Sequence, residues 1–264
     1  MSALLSLEHV GASLGGRRIL NDVDFTIEPG EFVGLIGTNG AGKTTLLRCI
    51  LGLLRPDRGA VRVLGAPARH GNRAIGYVPQ RVAVDADTPL RGRDMVALGL
   101  DGDRWGIGWP SARKRRLVDG VLRDVGADAF ADAPFGRLSG GEQQRLLVAQ
   151  ALLGEPRVML LDEPLANLDL RSANEITALV ADVARRRGVA VLLVAHDMNP
   201  LMPFMDRIVY LASGNSVIGP VGDVVRSDVL TRLYGYPVTV LEVGGRVLVV
   251  PGDDAHGDAH LAHV

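Results

Sequence analysis

At 264 residues the chain can bury a sizeable core, as one large domain or two modest ones. Its 29 Lys and Arg nearly balance 30 Asp and Glu, which speaks against a nucleic-acid partner and against a strongly basic membrane-surface patch. The single cysteine, Cys49, rules out an intrachain disulfide framework, and its apolar surroundings predict a buried structural thiol.

Met1 to Val10 has neither a cationic start nor a sustained apolar stretch, and no run approaches the ~18 apolar residues of a spanning helix. The chain is therefore expected on the cytoplasmic side, without crossing a membrane itself. From Leu4 to Ile36, short β-prone runs (Leu4 to Leu7, Val23 to Ile27, Phe32 to Ile36) are broken by Gly15-Gly16 and by Glu28-Pro29-Gly30-Glu31. This predicts antiparallel strands leading into a buried one.

Next comes Gly37-Thr38-Asn39-Gly40-Ala41-Gly42-Lys43-Thr44, with Thr45 behind it, matching G-x-x-x-x-G-K-[ST] between a predicted strand and a predicted helix (Leu46 to Leu53). The glycines let the backbone curl so that N–H groups face phosphate oxygens, and the helix start adds its positive dipole end. Lys43 can then reach the β- and γ-phosphates, and the Thr44 hydroxyl can ligate Mg²⁺. A merely glycine-rich turn would not account for Lys-Thr at this spacing.

Further β-prone runs follow at Val61 to Leu64 and Ala74 to Pro79. Between about Thr88 and Arg137 the β signal disappears, and Arg93 to Leu100 and Ala112 to Val125 read as helices. The chain then alternates helix (Gly140 to Leu153), strand (Val158 to Leu161), helix (Ala173 to Arg186) and strand (Val189 to Val194), the pattern of an α/β fold with a parallel sheet. Val158 to Leu161 runs straight into Asp162 and Glu163, which sets two carboxylates at the C-terminal edge of a buried strand, where such sheets bind nucleotides. Asp162 suits the Mg²⁺ shell through water, and Glu163 is positioned as the general base that polarises an attacking water. Alone, the pair followed by Pro164 reads as a helix start; the phosphate loop tips the balance. A β-prone tail (Val238 to Val243, Arg246 to Val250) closes the fold, and 251–264 is expected to be disordered.

Leu138-Ser139-Gly140-Gly141-Glu142-Gln143-Gln144-Arg145 reads as a helix N-terminus, with Ser139 as cap and the glycines exposing N–H groups. As a whole octapeptide it resembles the signature motif of ATP-binding cassette (ABC) ATPases. The resemblance implies a P-loop NTPase fold of the ABC type over 1–250: a mainly parallel core, an N-terminal antiparallel β subdomain and an α-helical subdomain inserted at about 88–150. It implies a homodimer in which Ser139, Gly140, Gly141 and Glu142 face the γ-phosphate of ATP held by the other subunit. Gln80 resembles the Q-loop glutamine that senses Mg²⁺ and water, Asp169 in Ala166-Asn167-Leu168-Asp169 the D-loop aspartate, and His196 the switch histidine that contacts the γ-phosphate. Leu14 stands where the family usually stacks a Tyr or Phe on adenine, which removes an aromatic face worth ~1–3 kcal/mol.

Three stretches resemble the ATPases of zinc and manganese importers: Gln80 to Trp109, including Gly106-Ile107-Gly108-Trp109; Ala195 to Leu201; and Leu233 to Val238. Siderophore-importer ATPases are the close alternative. The implied partners are a polytopic membrane permease and an extracytoplasmic metal-binding protein, with the chain on the cytoplasmic face of the plasma membrane. A soluble ABC ATPase acting on ribosomes or DNA is disfavoured, because neither a second cassette nor a coiled-coil insertion is visible. A non-hydrolysing regulator is disfavoured by the presence of Lys43, Asp162, Glu163 and His196. Met198, Met202 and Met205 are expected to pack in the core rather than bind a soft metal. Asp85 and Asp87 are read as a solvated or permease-facing loop, Arg113 to Arg116 as a solvated helix face, and His256, His260 and His263 as no formed zinc site.

Overall fold

A computed structural model of the chain describes residues 3–80, 82–101 and 111–252. The expectation of a disordered tail falls outside them from 253 onward, as do Gly106-Ile107-Gly108-Trp109 and His256, His260 and His263. The chain opens with β1 (Leu5–Leu14), β2 (Arg17–Ile27), β3 (Phe32–Ile36), α1 (Lys43–Ile50), β4 (Arg58–Val63), β5 (Ala66–Pro67) and β6 (Ile75–Val78). A helical stretch follows, with α2 (Gly92–Asp101), α3 (Ala112–Asp124) and α4 (Gly140–Leu152). Then come β7 (Val158–Asp162), α5 (Leu170–Arg187), β8 (Ala190–Ala195), β9 (Arg207–Ala212), β10 (Asn215–Gly219), α6 (Val221–Val224), α7 (Ser227–Tyr234), β11 (Val238–Val243) and β12 (Arg246–Pro251).

Ten of these strands form one sheet in the order β5-β4-β1-β2-β10-β9-β3-β8-β7-β6. Its first four strands are antiparallel neighbours, whereas β9, β3, β8, β7 and β6 run parallel. The two parts join through β10, which pairs with β2 and β9. The turn between β1 and β2 is made by Gly15 and Gly16 at φ 58° and 80°, a conformation that costs other residues more.

Strands β3 and β8 are buried at every position, as parallel strands covered on both faces must be. Alternate side chains serve opposite cores. Met159, Leu161, Val191 and Leu193 point into a cluster with α2 to α5, while Val158, Leu160, Leu192 and Val194 point into one built from α1, β1, β2 and β4. Cys49 of α1 lies in the second core, and burial pushes its thiol up to about 11, so it is an inert packing residue. Helices α2, α3 and α4 pack on one another.

The sequence pattern places nothing between Val194 and Val238, yet the chain there forms β9, β10, α6 and α7. These elements have four to eight residues each, and unlike the equally short β3, α1 and β7 they flank neither the phosphate loop nor the acidic pair that marks those in the sequence. The segment 198–205 is a series of turns rather than a helix; Met198 and Met205 are buried and Met202 is packed on the same core. The loop acids are exposed, with Asp87 reaching Arg137 at 3.5 Å and Asp85 accepting from the Asp87 N–H at 3.3 Å.

Leu193 sits in β8, flanked by β3 and β7, and is fully buried. Leu193→Ala is expected to lower stability by about 2–5 kcal/mol in urea unfolding, whereas Leu241→Ala on the exposed hairpin should change it by less than about 0.5 kcal/mol.

Candidate active site

Register between parallel strands brings distant residues to one edge. Val78 of β6 lies opposite Leu161 of β7, which lies opposite Leu193 of β8, and Ile36 of β3 lies opposite Ala195. The residues just beyond these ends are Gln80, Asp162 with Glu163, His196 and the loop from Gly37. They meet at the C-terminal edge of the sheet, where strand ends leave a crevice for ligands.

The loop from Gly37 to Gly42 depends on its glycines. A Cβ on Gly37 would stand 2.2 Å from the Leu211 carbonyl oxygen, and one on Gly42, at φ 107°, would stand 2.7 Å from a Leu20 methyl. Gly42 caps α1 in the left-handed conformation with no side-chain hydrogen bond, so the first helical N–H groups stay available to an anion. Thr38, Asn39, Gly40 and Thr44 are exposed, while Ala41, Lys43 and Thr45 are buried. The Lys43 ammonium donates to the carbonyls of Gly37 (2.7 Å) and Thr38 (3.1 Å). Burial lowers its pKa, and the nearby charges of Glu163 and Asp162 act the other way.

Asp162 ends β7 half-buried. Desolvation raises its pKa, although the Tyr77 hydroxyl donates to Oδ2 at 3.3 Å. Burial and Asp162 together push the Tyr77 phenol up to about 12. Glu163 turns away from the strand at φ 49°, a left-handed conformation that costs a non-glycine residue ~1–3 kcal/mol. The turn aims both carboxylate oxygens at neighbours: Gln80 Nε2 donates to Oε2 at 2.7 Å, and His196 Nε2 meets Oε1 at 2.7 Å. The Glu163 side chain is only 15% exposed, so these contacts act in a medium of reduced dielectric. His196 is 46% exposed and can turn its other ring nitrogen toward solvent.

Ser139 caps α4 in a reciprocal box with Glu142. Its Oγ accepts from the Glu142 N–H at 3.4 Å, and its own N–H donates to Glu142 Oε2 at 2.9 Å. The glycines face the start of α5, since a Cβ on Gly140 would stand 3.1 Å from Leu168 and one on Gly141 3.3 Å from Ser172 Oγ. Asp169 caps α5, and the Ser172 N–H and hydroxyl bound to it (2.9 and 2.7 Å) hold its carboxyl below the usual range. Within one chain, then, Ser139 to Glu142 and Asp169 form one group, and Lys43, Gln80, Asp162, Glu163 and His196 form another. Leu14 ends β1 and is 48% exposed.

A family model described as ABC transporter matches residues 20–166. The chain is 36% identical to the zinc import ATP-binding protein ZnuC of Pseudomonas putida, over 99% of this chain and 98% of that one. The chain belongs to the ABC transporter family. It is also 40% identical to the ZnuC protein of Pseudomonas fluorescens, over 80% of this chain and 74% of that one. The dimeric structure of a bacterial ABC transporter cassette superposes at a TM-score of 0.69 with 27% identity, covering 82% of this chain and 98% of that one.

As an ABC cassette the chain is the ATP-binding and ATP-hydrolysing part of a transporter, and such a part works with a membrane permease. No helix among the described residues is long and apolar enough to cross a membrane. The donor set of this cassette suits a hard divalent cation: Thr44, an exposed residue, carries a hydroxyl, and Asp162 carries a carboxylate whose burial disfavours its charge and which a nearby cation would relieve. The sequence reading misses Tyr77. Its only trace there is its place three residues before Gln80, and its reach to Asp162 follows from the pairing of β6 with β7.

An acid whose folded-state pKa lies above its unfolded value costs stability as pH rises beyond that unfolded value. Asp162→Asn is therefore expected to raise the melting temperature of the nucleotide-free protein by roughly 1–3 °C at about pH 7–8, with the gain vanishing toward about pH 4. Calorimetry of both proteins across that range checks this, and a gain independent of pH would detach it from the ionisation of Asp162.

Proposed function

We propose that this ABC cassette hydrolyses ATP to energise uptake of zinc, or of manganese as its nearest chemical rival, through a separate permease. The observation that carries the hydrolytic part is the two-sided hold on Glu163 by Gln80 and His196, each at 2.7 Å. The zinc assignment rests on likeness to zinc import ATP-binding proteins along nearly the whole chain.

The N–H groups of 38–44 and the start of α1 surround the phosphates, and the Lys43 ammonium exchanges its loop carbonyls for β- and γ-phosphate oxygens. Thr44 and Asp162, with Gln80 beside them, would hold Mg²⁺, which neutralises charge on the phosphates. Glu163 accepts the proton of the attacking water as general base. Gln80 orients the carboxylate and that water. His196 donates through Nε2, first to Glu163 and then to the γ-phosphate. Leu14 offers the base an apolar contact without a ring face. Ser139, Gly140, Gly141 and Glu142, with Asp169 behind them, close the site on the ATP of a second copy, so the working unit is a homodimer. The chain lies at the cytoplasmic face of the plasma membrane through its permease, which receives metal from an extracytoplasmic binding protein.

Glu163→Gln keeps the size of the side chain but removes its charge and its basicity, and His196 can still pair with it by changing tautomer. Hydrolysis should fall about 100-fold or more, a loss of roughly 2.7 kcal/mol in transition-state stabilisation, while Mg-ATP still binds. The variant should elute as an ATP-dependent dimer in size-exclusion chromatography, and adding Ser139→Arg should abolish that dimer. Near-parental phosphate release would remove Glu163 from the base role, and a dimer that survives Ser139→Arg would refute the shared site.

Deleting the gene should lower cellular zinc under zinc scarcity, measured by mass spectrometry of whole cells, with growth restored by added zinc. A fall in manganese alone would reassign the metal. Normal zinc and manganese with impaired siderophore-iron uptake would move the chain to that class of importer.

A further inference from the structure

The chain just after His196 is fastened to the C-terminal hairpin by one side chain. Strand β8 and its ladder stop at Ala195, so the backbone carrying His196 onward has no sheet partner of its own. Asp197 Oδ1 accepts from the Asn199 N–H at 2.9 Å, which closes a tight turn behind the histidine. The Asn199 amide then pairs with β12 as a short strand would: Oδ1 accepts from the Val247 N–H at 2.8 Å and Nδ2 donates to the Val247 carbonyl at 3.1 Å. Nδ2 also meets Asp197 Oδ1 at 2.6 Å, so one side chain joins turn and hairpin.

The hairpin is a fixed support. Val240, Val247 and Val249 pack on the main core, and Val238 is buried. The Val238 N–H donates to Thr231 Oγ1 at 3.0 Å and the Val240 N–H to Ser227 Oγ at 2.9 Å, which bind β11 to α7. At its far end α7 places the Tyr234 hydroxyl 3.3 Å from that of Tyr210, and Tyr210 lies opposite Ile36, the residue before the phosphate loop. Burial raises the Tyr234 pKa while hydrogen bonds from Tyr210 and Thr38 oppose the rise. The C-terminal segment thus braces the catalytic edge at two points.

We infer that Asn199 is a positioning residue for ATP hydrolysis, holding His196 in place by anchoring its loop to Val247 of the C-terminal hairpin. The inference rests on the reading that His196 serves hydrolysis. The Asn199 side chain bonds to Asp197 and Val247. Its contribution is geometric, and a displacement of about 1 Å at a reacting group can cost on the order of 100-fold in rate.

The test is a steady-state double-mutant cycle on the full-length chain, with His196→Ala measured alongside. Asn199→Ala should lower kcat about tenfold while KM for ATP stays within about twofold, because the contacts of the 37–44 loop with the phosphates and of Leu14 with the base are untouched and only the His196 contact is displaced. Val247→Pro removes the N–H that bonds Asn199 Oδ1 and should lower kcat similarly, since proline is tolerated on a strand edge. The double variant should be no slower than the slower single one. Parental kcat in Asn199→Ala, parallel changes in kcat and KM, or losses that multiply in the double variant would overturn the positioning role. If Val247→Pro does not fold, the split between kcat and KM in Asn199→Ala decides alone. Parental turnover in His196→Ala would sink the reading of the histidine itself, whereas a slow His196→Ala beside a parental Asn199→Ala sinks only the role of Asn199.

Discussion

The site depends on the parallel register of β6, β7, β8 and β3. Each hydrogen-bonded ladder fixes where its strand ends relative to its neighbours, and the residue after each end inherits that position. A slip of one residue in β7 would exchange its two buried faces between the two cores, which both clusters resist. Because the strands are apolar on both faces, the same burial that stabilises the sheet sets Gln80, Glu163 and His196 side by side. Folding energy and catalytic geometry therefore share a source.

Burial then tunes the charges. Lys43 is nearly inaccessible and Asp162 half-buried, so each ionised group is disfavoured by lost hydration and favoured by the other's charge. A phosphate chain with its cation supplies the counter-charges this arrangement lacks, which makes the pocket receptive to that ligand. The strained backbone at Glu163 belongs to the same economy of position: the left-handed turn carries a carboxylate that meets Gln80 with one oxygen and His196 with the other.

The signature helix is organised differently. Its N-terminus is capped by its own Ser139 and Glu142, and its glycines let Leu168 and Ser172 approach closely. Helix α4 and the start of α5 thereby form one rigid face, separate in the monomer from the Lys43 and Glu163 cluster. The box occupies the N–H groups of Ser139 and Glu142, and in the proposed shared site those of Gly140 and Gly141 would be left to meet a phosphate presented by another copy.

Contiguous residues carried most of what was legible beforehand. The phosphate loop, the Asp162-Glu163 pair after a buried strand and the capped helix at Ser139 are local, because each needs only a turn, a strand end or a helix start to place its atoms. The longer helices also showed their period, as in α3 and α5, whereas β9, β10, α6 and α7, of similar lengths to β6, β3 and α1, lie away from the phosphate loop and the acidic pair and were not marked by them. The tertiary structure alone decided which side chains meet. Gln80 and Glu163 are 83 residues apart, and Asn199 and Val247 are 48 apart. No local pattern specifies the contact of Tyr77 with Asp162, the two-sided hold on Glu163 or the bracing of the histidine loop by a hairpin. Those contacts arise from strand register and from burial shared across the whole sheet, quantities defined only once distant segments have packed.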